Sequence, residues 1–83
     1  MALFSVLPSA CGSSPSPEKS SNQLVEAGLS AEKAGNVDKA FSDYEAAVTK
    51  DPRNKYAHYD LGYVYQIRGD APQAAVQYAQ TLY

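Results

Sequence analysis

The side chains best suited to catalysis or metal binding are scarce in this sequence, which has one cysteine, Cys11, and one histidine, His58. A lone cysteine excludes a disulfide within the chain and a metal site made of several thiolates. His58 has no second imidazole to complete a pair of ligands. No pair of acidic residues stands beside a nucleophile or at a metal-ligand spacing. The sequence therefore predicts no catalytic residue, no metal and no cofactor.

The carboxylates and the histidine have simpler interpretations as helix residues. We expect the carboxylates to lie on solvated helix faces, and these are Glu26, Glu32, Asp43 and Glu45. His58 is predicted to be a partly buried packing residue. Its alternative roles are an aromatic stack or a switch that responds to pH.

Residues 1–20 differ in composition from the rest of the chain. A short apolar run from Met1 to Leu7 leads to the small residues before Cys11, and a stretch rich in serine and proline follows as far as Ser20. Such a stretch buries nothing, so we expect a disordered, flexible tether.

This segment resembles the end of a bacterial lipoprotein signal peptide, in which a cysteine after small residues is lipidated and becomes the mature N-terminus. Ser9, Ala10 and Cys11 match its last three positions. The resemblance implies a domain held at the bacterial cell envelope by a lipid on Cys11. Because no Lys or Arg precedes Cys11, we expect the true start to lie upstream. The alternative is a cytoplasmic protein with a disordered tail and a stray cysteine.

The remainder of the chain repeats itself at a spacing of 34 residues. The recurring pairs are Gly28 and Gly62, Gly35 and Gly69, Ala40 and Ala74, and Tyr44 and Tyr78. A period of this size indicates a stacked helical repeat. Capping residues, glycines and prolines predict four helices, at about 21–34, 37–50, 55–68 and 71–82. The faces predicted to pack inward are Leu24, Ala27, Gly28 and Ala31; Val37, Ala40, Phe41, Tyr44, Ala47 and Val48; and Leu61, Gly62, Val64 and Tyr65.

This pattern resembles the tetratricopeptide repeat family. A first unit over 21–54 matches at Leu24, Gly28, Ala40, Tyr44, Ala47 and Pro52; a second, truncated unit over 55–83 matches at Leu61, Gly62, Tyr65, Ala74 and Tyr78. The second unit departs from the family pattern at His58 and Thr81. The resemblance implies an all-α fold of two helix-turn-helix units, a fragment of an α-solenoid.

In that family the first helix of each unit lines a concave groove that binds a peptide or a partner helix. The groove residues implied here are Asn22, Val25, Glu26, Leu29, Glu32 and Lys33, with Tyr56, Tyr59, Asp60, Tyr63, Gln66 and Ile67. Tyr56, Tyr59 and Tyr63 recur at helical spacing and form one stripe. Exposed tyrosines make effective contacts because they bury a large area at little entropic cost. Their alternative role is to pad a junction between helices.

The predicted groove is mildly acidic and aromatic. It suits a peptide with apolar and some basic residues. One subtype of the family holds C-terminal carboxylates through Lys and Asn, but Val25, Leu29 and Asp60 occupy the corresponding positions here. We therefore expect no binding of that kind. A net charge of −2 without a basic stripe also argues against nucleic acid as a partner.

The fourth predicted helix would leave Ala75, Val76, Ala79 and Leu82 partly exposed. Two units also fall below the number expected to be stable alone. We expect a fragment of a longer array, with self-association through residues 71–82 as the alternative. The leading functional prediction is a non-enzymatic interaction scaffold that binds a protein or peptide. The alternative is an accessory segment of a larger enzyme or of a secretion or assembly component.

Overall fold

The computed structural model describes residues 18–82, which form four α-helices and no strand. The helices are α1 (Ser21–Lys33), α2 (Val37–Lys50), α3 (Lys55–Ile67) and α4 (Ala71–Gln80). The predicted all-α fold of helical hairpins is confirmed. The predictions for the apolar run, Cys11 and the tether as far as residue 17 lie outside the described residues. The division into units at 21–54 and 55–83 stays a prediction.

Each helix begins directly after a residue whose side chain caps it. The Ser20 hydroxyl accepts from the Gln23 amide at 3.1 Å while the Ser20 amide donates to Gln23 Oε1 at 2.8 Å, which completes a capping box. Asn36, Asn54 and Asp70 cap the next three helices through side-chain oxygens. These caps satisfy amides that have no partner inside the helix.

One glycine follows the first helix of each hairpin, Gly35 after α1 and Gly69 after α3. Gly35 has φ 82° and Gly69 has φ 80°, a left-handed conformation that costs glycine little and other residues more. The chain then reverses directly into α2 and α4. Between the hairpins, Asp51 is extended and Pro52 follows it, so α2 stops and α3 starts in a new direction.

The helices pack in chain order. α1 lies against α2, α3 crosses both of them, and α4 contacts α3 alone among the described helices. The two largest fully buried side chains are Tyr44 and Val64. Small residues around them allow the helices to approach closely. The predicted inward faces of α2 and α3 are confirmed, since every member is buried or half-buried.

The predicted inward face of α1 is confirmed by the same measure, and the structure adds one residue to it. Val25, which the resemblance placed in the groove, is 7% exposed and belongs to the core. The reason is the position of α3, which covers part of the surface of α1 that an isolated hairpin would leave open.

A buried polar network joins the first and third helices. The Asn54 side-chain amide donates to the Ser21 hydroxyl at 2.8 Å and to Asn22 Oδ1 at 2.9 Å, and the Ser21 hydroxyl donates to the Ala47 carbonyl at 2.8 Å. Asn54 and Ser21 are each 8% exposed. Each of these polar groups has a hydrogen-bond partner, so the hydrogen bonds offset the free-energy cost of removing the groups from water. The network fixes where α3 starts relative to α1.

The opposite end of α3 is held by an aromatic and ionic contact with α2. The Phe41 and Tyr65 rings meet edge to face, with centroids 5.3 Å apart. The Arg68 guanidinium lies 4.1 Å from the Phe41 ring and donates to Asp38 at 2.7 Å. None of the four helices is long and apolar enough to cross a membrane.

Candidate interaction surface

Seven of the twelve predicted groove residues, on α1 and α3, make up the candidate surface, and we call it the tyrosine face. It consists of Leu29, Glu32, Tyr56, Tyr59, Asp60, Tyr63 and Gln66. Tyr56, Tyr59 and Tyr63 are 76%, 57% and 44% exposed, and Leu29 is 39% exposed. Large side chains at this exposure offer contact area that the fold itself does not use.

Two carboxylates, Glu32 on α1 and Asp60 on α3, come together on this face. Both are half-buried. Burial, and then the negative charge of Glu32, raises the pKa of the Asp60 carboxyl from its usual 3.8 to about 6. Within residues 18–82 no cation forms an ion pair with either carboxylate. The pair therefore holds negative charge that a basic side chain of a partner could neutralise.

A hydrogen bond from the core orients the Glu32 side chain. The hydroxyl of Tyr44, whose side chain is fully buried, donates to Glu32 Oε1 at 2.8 Å. Burial, and then this hydrogen bond, raises the pKa of the Tyr44 hydroxyl, so it stays protonated and remains a donor. Glu32 was predicted to lie on a solvated helix face, but it is half-buried and linked to the core.

The same contact recurs one period later. The Tyr78 hydroxyl donates to Gln66 Oε1 at 2.7 Å, which fixes the amide of Gln66 at the edge of the tyrosine face. Tyr78 is half-buried where Tyr44 is fully buried. Glu32 precedes Tyr44 by 12 residues, and Gln66 precedes Tyr78 by the same number, so the recurrence is visible in the sequence. The spacing alone does not show that the two side chains form a hydrogen bond.

Tyr59 lies at the border of the tyrosine face. Its ring is 5.5 Å from the Tyr78 ring of α4. Val25 stands 34 residues before Tyr59 and is buried, whereas Asn22 and Leu29 stand 34 residues before Tyr56 and Tyr63 and are exposed. Thus Tyr56 and Tyr63 occupy positions that stay open even when a helix packs alongside. Tyr59 therefore contacts the neighbouring helix α4, which is the alternative role that the sequence left open for the tyrosines.

His58 is a packing residue, as predicted. It is 6% exposed. Its Nε2 lies 2.7 Å from the Pro52 carbonyl, so Nε2 carries a proton and donates, and its Nδ1 lies 2.8 Å from Gln77 Oε1. Both ring nitrogens thus face polar groups of the protein within hydrogen-bond distance. His58 thereby ties the start of α3 to α4 and to the preceding loop.

Some depressions of the described surface lie away from the tyrosine face. One lies between α1 and α2, lined by Glu18, Lys19, Leu24, Ala46, Thr49 and Lys50. It is a shallow depression and holds none of the aromatic residues. Among residues 18–82, no three His, Cys, Asp or Glu side chains are grouped as metal ligands would be. The tyrosine face is an open surface, of the kind that suits a macromolecular partner better than a small molecule.

A comparison with protein families identifies the repeat. A family model described as tetratricopeptide repeat matches residues 43–77, which include most of α2, all of α3 and the first part of α4. A search of curated proteins found no match. Residues 43–77 are therefore similar to a tetratricopeptide repeat, a helical repeat of the protein-interaction type.

Proposed function

We propose that this protein is a non-enzymatic interaction module whose tyrosine face binds a peptide segment of a partner protein. The observation that carries the proposal is the stripe of Tyr56, Tyr59 and Tyr63, exposed on the same helix as the half-buried Asp60. Tyrosine is among the residues that are enriched in protein interfaces and that dominate their binding energy.

The chemistry of the face specifies the peptide. Leu29 and the tyrosine rings suit apolar side chains, and the Glu32–Asp60 pair suits one lysine or arginine. A basic side chain placed there would also relieve the repulsion between the two carboxylates. A net charge of −2 and the absence of a basic stripe make nucleic acid an unsuitable partner.

A peptide-display selection on the immobilised 83-residue chain tests the proposal. We expect enrichment of sequences that combine lysine or arginine with apolar residues. The affinity of one enriched peptide is then measured by fluorescence anisotropy for Tyr63→Ala, for Asp60→Asn and for Thr49→Ala, an exposed control on α2. Tyr63→Ala should weaken binding by about tenfold or more, as for a residue that dominates an interface. If the peptide binds a Tyr56→Ala, Tyr63→Ala double variant as tightly as the wild type, the tyrosine face is not the binding site.

The localisation that we propose is the bacterial cell envelope, through a lipid on Cys11. The support is the sequence Ser9, Ala10, Cys11 followed by a tether rich in serine and proline. Two acyl chains hold a protein at a membrane far more firmly than one. Expression in a bacterium with radiolabelled palmitate should label the wild type and not Cys11→Ser. Absence of label in the wild type would favour the cytoplasmic alternative.

Self-association through residues 71–82 is a separate proposal. It depends on the surface of α4 and not on the tyrosine face.

A further inference from the structure

The basic side chains of this protein are concentrated at the end of the helical array where the chain enters from the N-terminal segment. Four of its seven lysines and arginines lie there with two carboxylates. We call this surface the tether end, and its charged residues, all exposed, are Glu18, Lys19, Lys50, Asp51, Arg53 and Lys55. Its net charge is +2, whereas the remaining three cations and seven carboxylates give the rest of the chain a net charge of −4. A protein that is acidic overall thus has one basic end.

The fold holds these residues together because four helix ends meet here. The hydrogen bonds that join Ser21 to the Ala47 carbonyl and to Asn54 fix the start of α1, the last turn of α2 and the start of α3 at one place. A depression brings in the end of α4, and it is lined by Pro52, Arg53, Lys55 and Gln80. Two helix N-termini and two C-termini lie side by side, so their dipoles oppose one another and the side chains set the charge.

The charge that stays unpaired at the tether end is positive. Three of its cations form no ion pair within residues 18–82, and these are Lys19, Arg53 and Lys55. Of the two carboxylates, Glu18 pairs with Lys50. Asp51 accepts a hydrogen bond of 3.0 Å from the backbone amide of Arg53, which turns it toward the loop. The surface therefore offers three free cations to an anionic partner.

The length of the chain limits how far this surface can lie from Cys11. Cys11 stands seven positions before Glu18. A fully extended chain spans at most about 3.6 Å per residue, so a lipid on Cys11 would hold the tether end within about 25 Å of a membrane. A surface held at such a distance meets the membrane at a high effective concentration, and a weak attraction is then enough to keep it there.

We propose that the tether end docks on the anionic lipid headgroups of the membrane in which Cys11 is anchored. The proposal rests on the localisation proposed above and adds a second contact to it. Lysine and arginine are attracted to an anionic membrane surface, and a basic patch commonly acts as a second signal beside an acyl anchor. Each exposed cation of the tether end contributes to this attraction, and the attraction weakens as salt screens it.

Docking through this end leaves the tyrosine face open. Glu32 and Gln66 lie near the opposite ends of α1 and α3, one helix length away from the tether end. The helices then point away from the membrane, and the half-buried carboxylate of Glu32 is kept clear of the negative lipid surface. A peptide can therefore reach the tyrosine face while the domain is docked.

The reactivity of the protein's own lysines tests the proposal. The 83-residue chain is coupled through Cys11, its one cysteine, to a maleimide lipid in phosphatidylcholine vesicles. One set of vesicles also contains about 30% phosphatidylglycerol, which supplies the negative surface potential. Mass spectrometry follows the acetylation of each lysine. Lys55 and Lys33 are the matched pair, because both are exposed and neither forms an ion pair within residues 18–82.

The expected result is protection at one end of the molecule. Lys55 should react at least about threefold more slowly on the anionic vesicles than on the neutral ones, and salt at about 0.5 M should abolish the difference. Lys33, at the end of α1 away from the tether, should react equally on both. Equal reactivity of Lys55 on the two kinds of vesicle overturns the proposal, and so does equal protection of Lys33 and Lys55.

Two variants separate docking from tethering alone. Arg53→Glu reverses one charge without replacing a lysine and brings the net charge of the tether end to zero, so it should remove the protection of Lys55. Lys33→Glu makes the same change of charge at the other end and should leave that protection intact; circular dichroism checks the helix content of both variants. Protection of Lys55 that survives Arg53→Glu contradicts the assignment. Because the maleimide lipid replaces the natural anchor, unprotected Lys55 removes the docking surface alone, whereas failure of palmitate labelling removes the localisation.

Discussion

The hydroxyl of Tyr44 donates a hydrogen bond of 2.8 Å to Glu32, and this contact links the centre of the core to the tyrosine face. Tyr44→Phe removes the hydroxyl and keeps the ring. Because the bond is shielded and its acceptor is charged, we expect the free energy of unfolding in urea to fall by about 1–2 kcal/mol. The matched control is Tyr78→Phe, whose hydroxyl bonds to Gln66 near solvent; its effect should stay within about 0.5 kcal/mol. Equal effects at the two positions would contradict the role given to burial.

Gly28 leaves room for the Tyr44 ring. A Cβ at position 28 would lie 2.4 Å from Tyr44 Cε1, and Tyr44 is enclosed on all sides. Gly28→Ala should lower the free energy of unfolding by about 1–2 kcal/mol, since the clash exceeds the gain in helix propensity of about 1 kcal/mol. At Gly62 the Cβ would lie 2.8 Å from the Tyr78 ring, which is half-buried and can move. Gly62→Ala should therefore cost less than Gly28→Ala, as chemical denaturation of both variants would show.

Asn54 has two roles that can be separated by mutation. Its Oδ1 caps α3 through the amides of Tyr56 and Ala57, while its Nδ2 joins the buried network with Ser21. Asn54→Ala should cost about 2–3 kcal/mol, one part from the cap and the other from the broken buried hydrogen bonds. Asn36→Ala removes an exposed cap alone and should cost about 1 kcal/mol. Similar losses for both variants in thermal unfolding would show that the network contributes nothing.

Asp60 should make stability depend on pH. Its pKa of about 6 in the folded chain lies above the ordinary value of 3.8, so between these pH values the folded state binds more protons than the unfolded state. Stability then falls as pH rises through this window, and the penalty is absent below about pH 4. Asp60→Asn should raise the free energy of unfolding at pH 7 by about 1 kcal/mol, after allowance for solvent screening of a half-exposed group, and leave it unchanged at pH 4.

The control for this prediction is Glu26→Gln, which removes an exposed carboxylate from α1. Its effect should be small at both pH values. If the wild type and Asp60→Asn show the same difference at pH 4 and pH 7, the raised pKa is wrong. The same titration bears on the proposed function, because a lysine-containing peptide should bind more tightly at pH 7 than at pH 5.

Features set by neighbours in the chain could be predicted from the sequence. The caps at Ser20 and Asn36, the turns at Gly35 and Gly69 and the stop at Pro52 each depend on a few adjacent residues, and all are present. Helical spacing likewise put the tyrosine stripe on one side of α3, whereas its exposure was implied only by the resemblance.

Features set by the packing of α3 could not be predicted. Val25 is buried because a helix 30 residues later lies across it, and no local pattern reports that. The approach of Asp60 to Glu32 and the second role of Asn54 depend on the same placement. The resemblance assigned Val25 to the groove from its position in the repeat alone. It does not take account of the residues that pack around Val25 in this chain.

The order in which the helices touch has a consequence for how the molecule opens. α4 has one neighbour, α3, among the described helices, whereas α3 has three. α4 can therefore detach while α1, α2 and α3 stay folded, so its amides should exchange with solvent through a local opening that costs less than global unfolding. If copies pair through α4, that exchange slows as concentration rises, and the least protected helix of the monomer becomes the one whose protection reports the assembly.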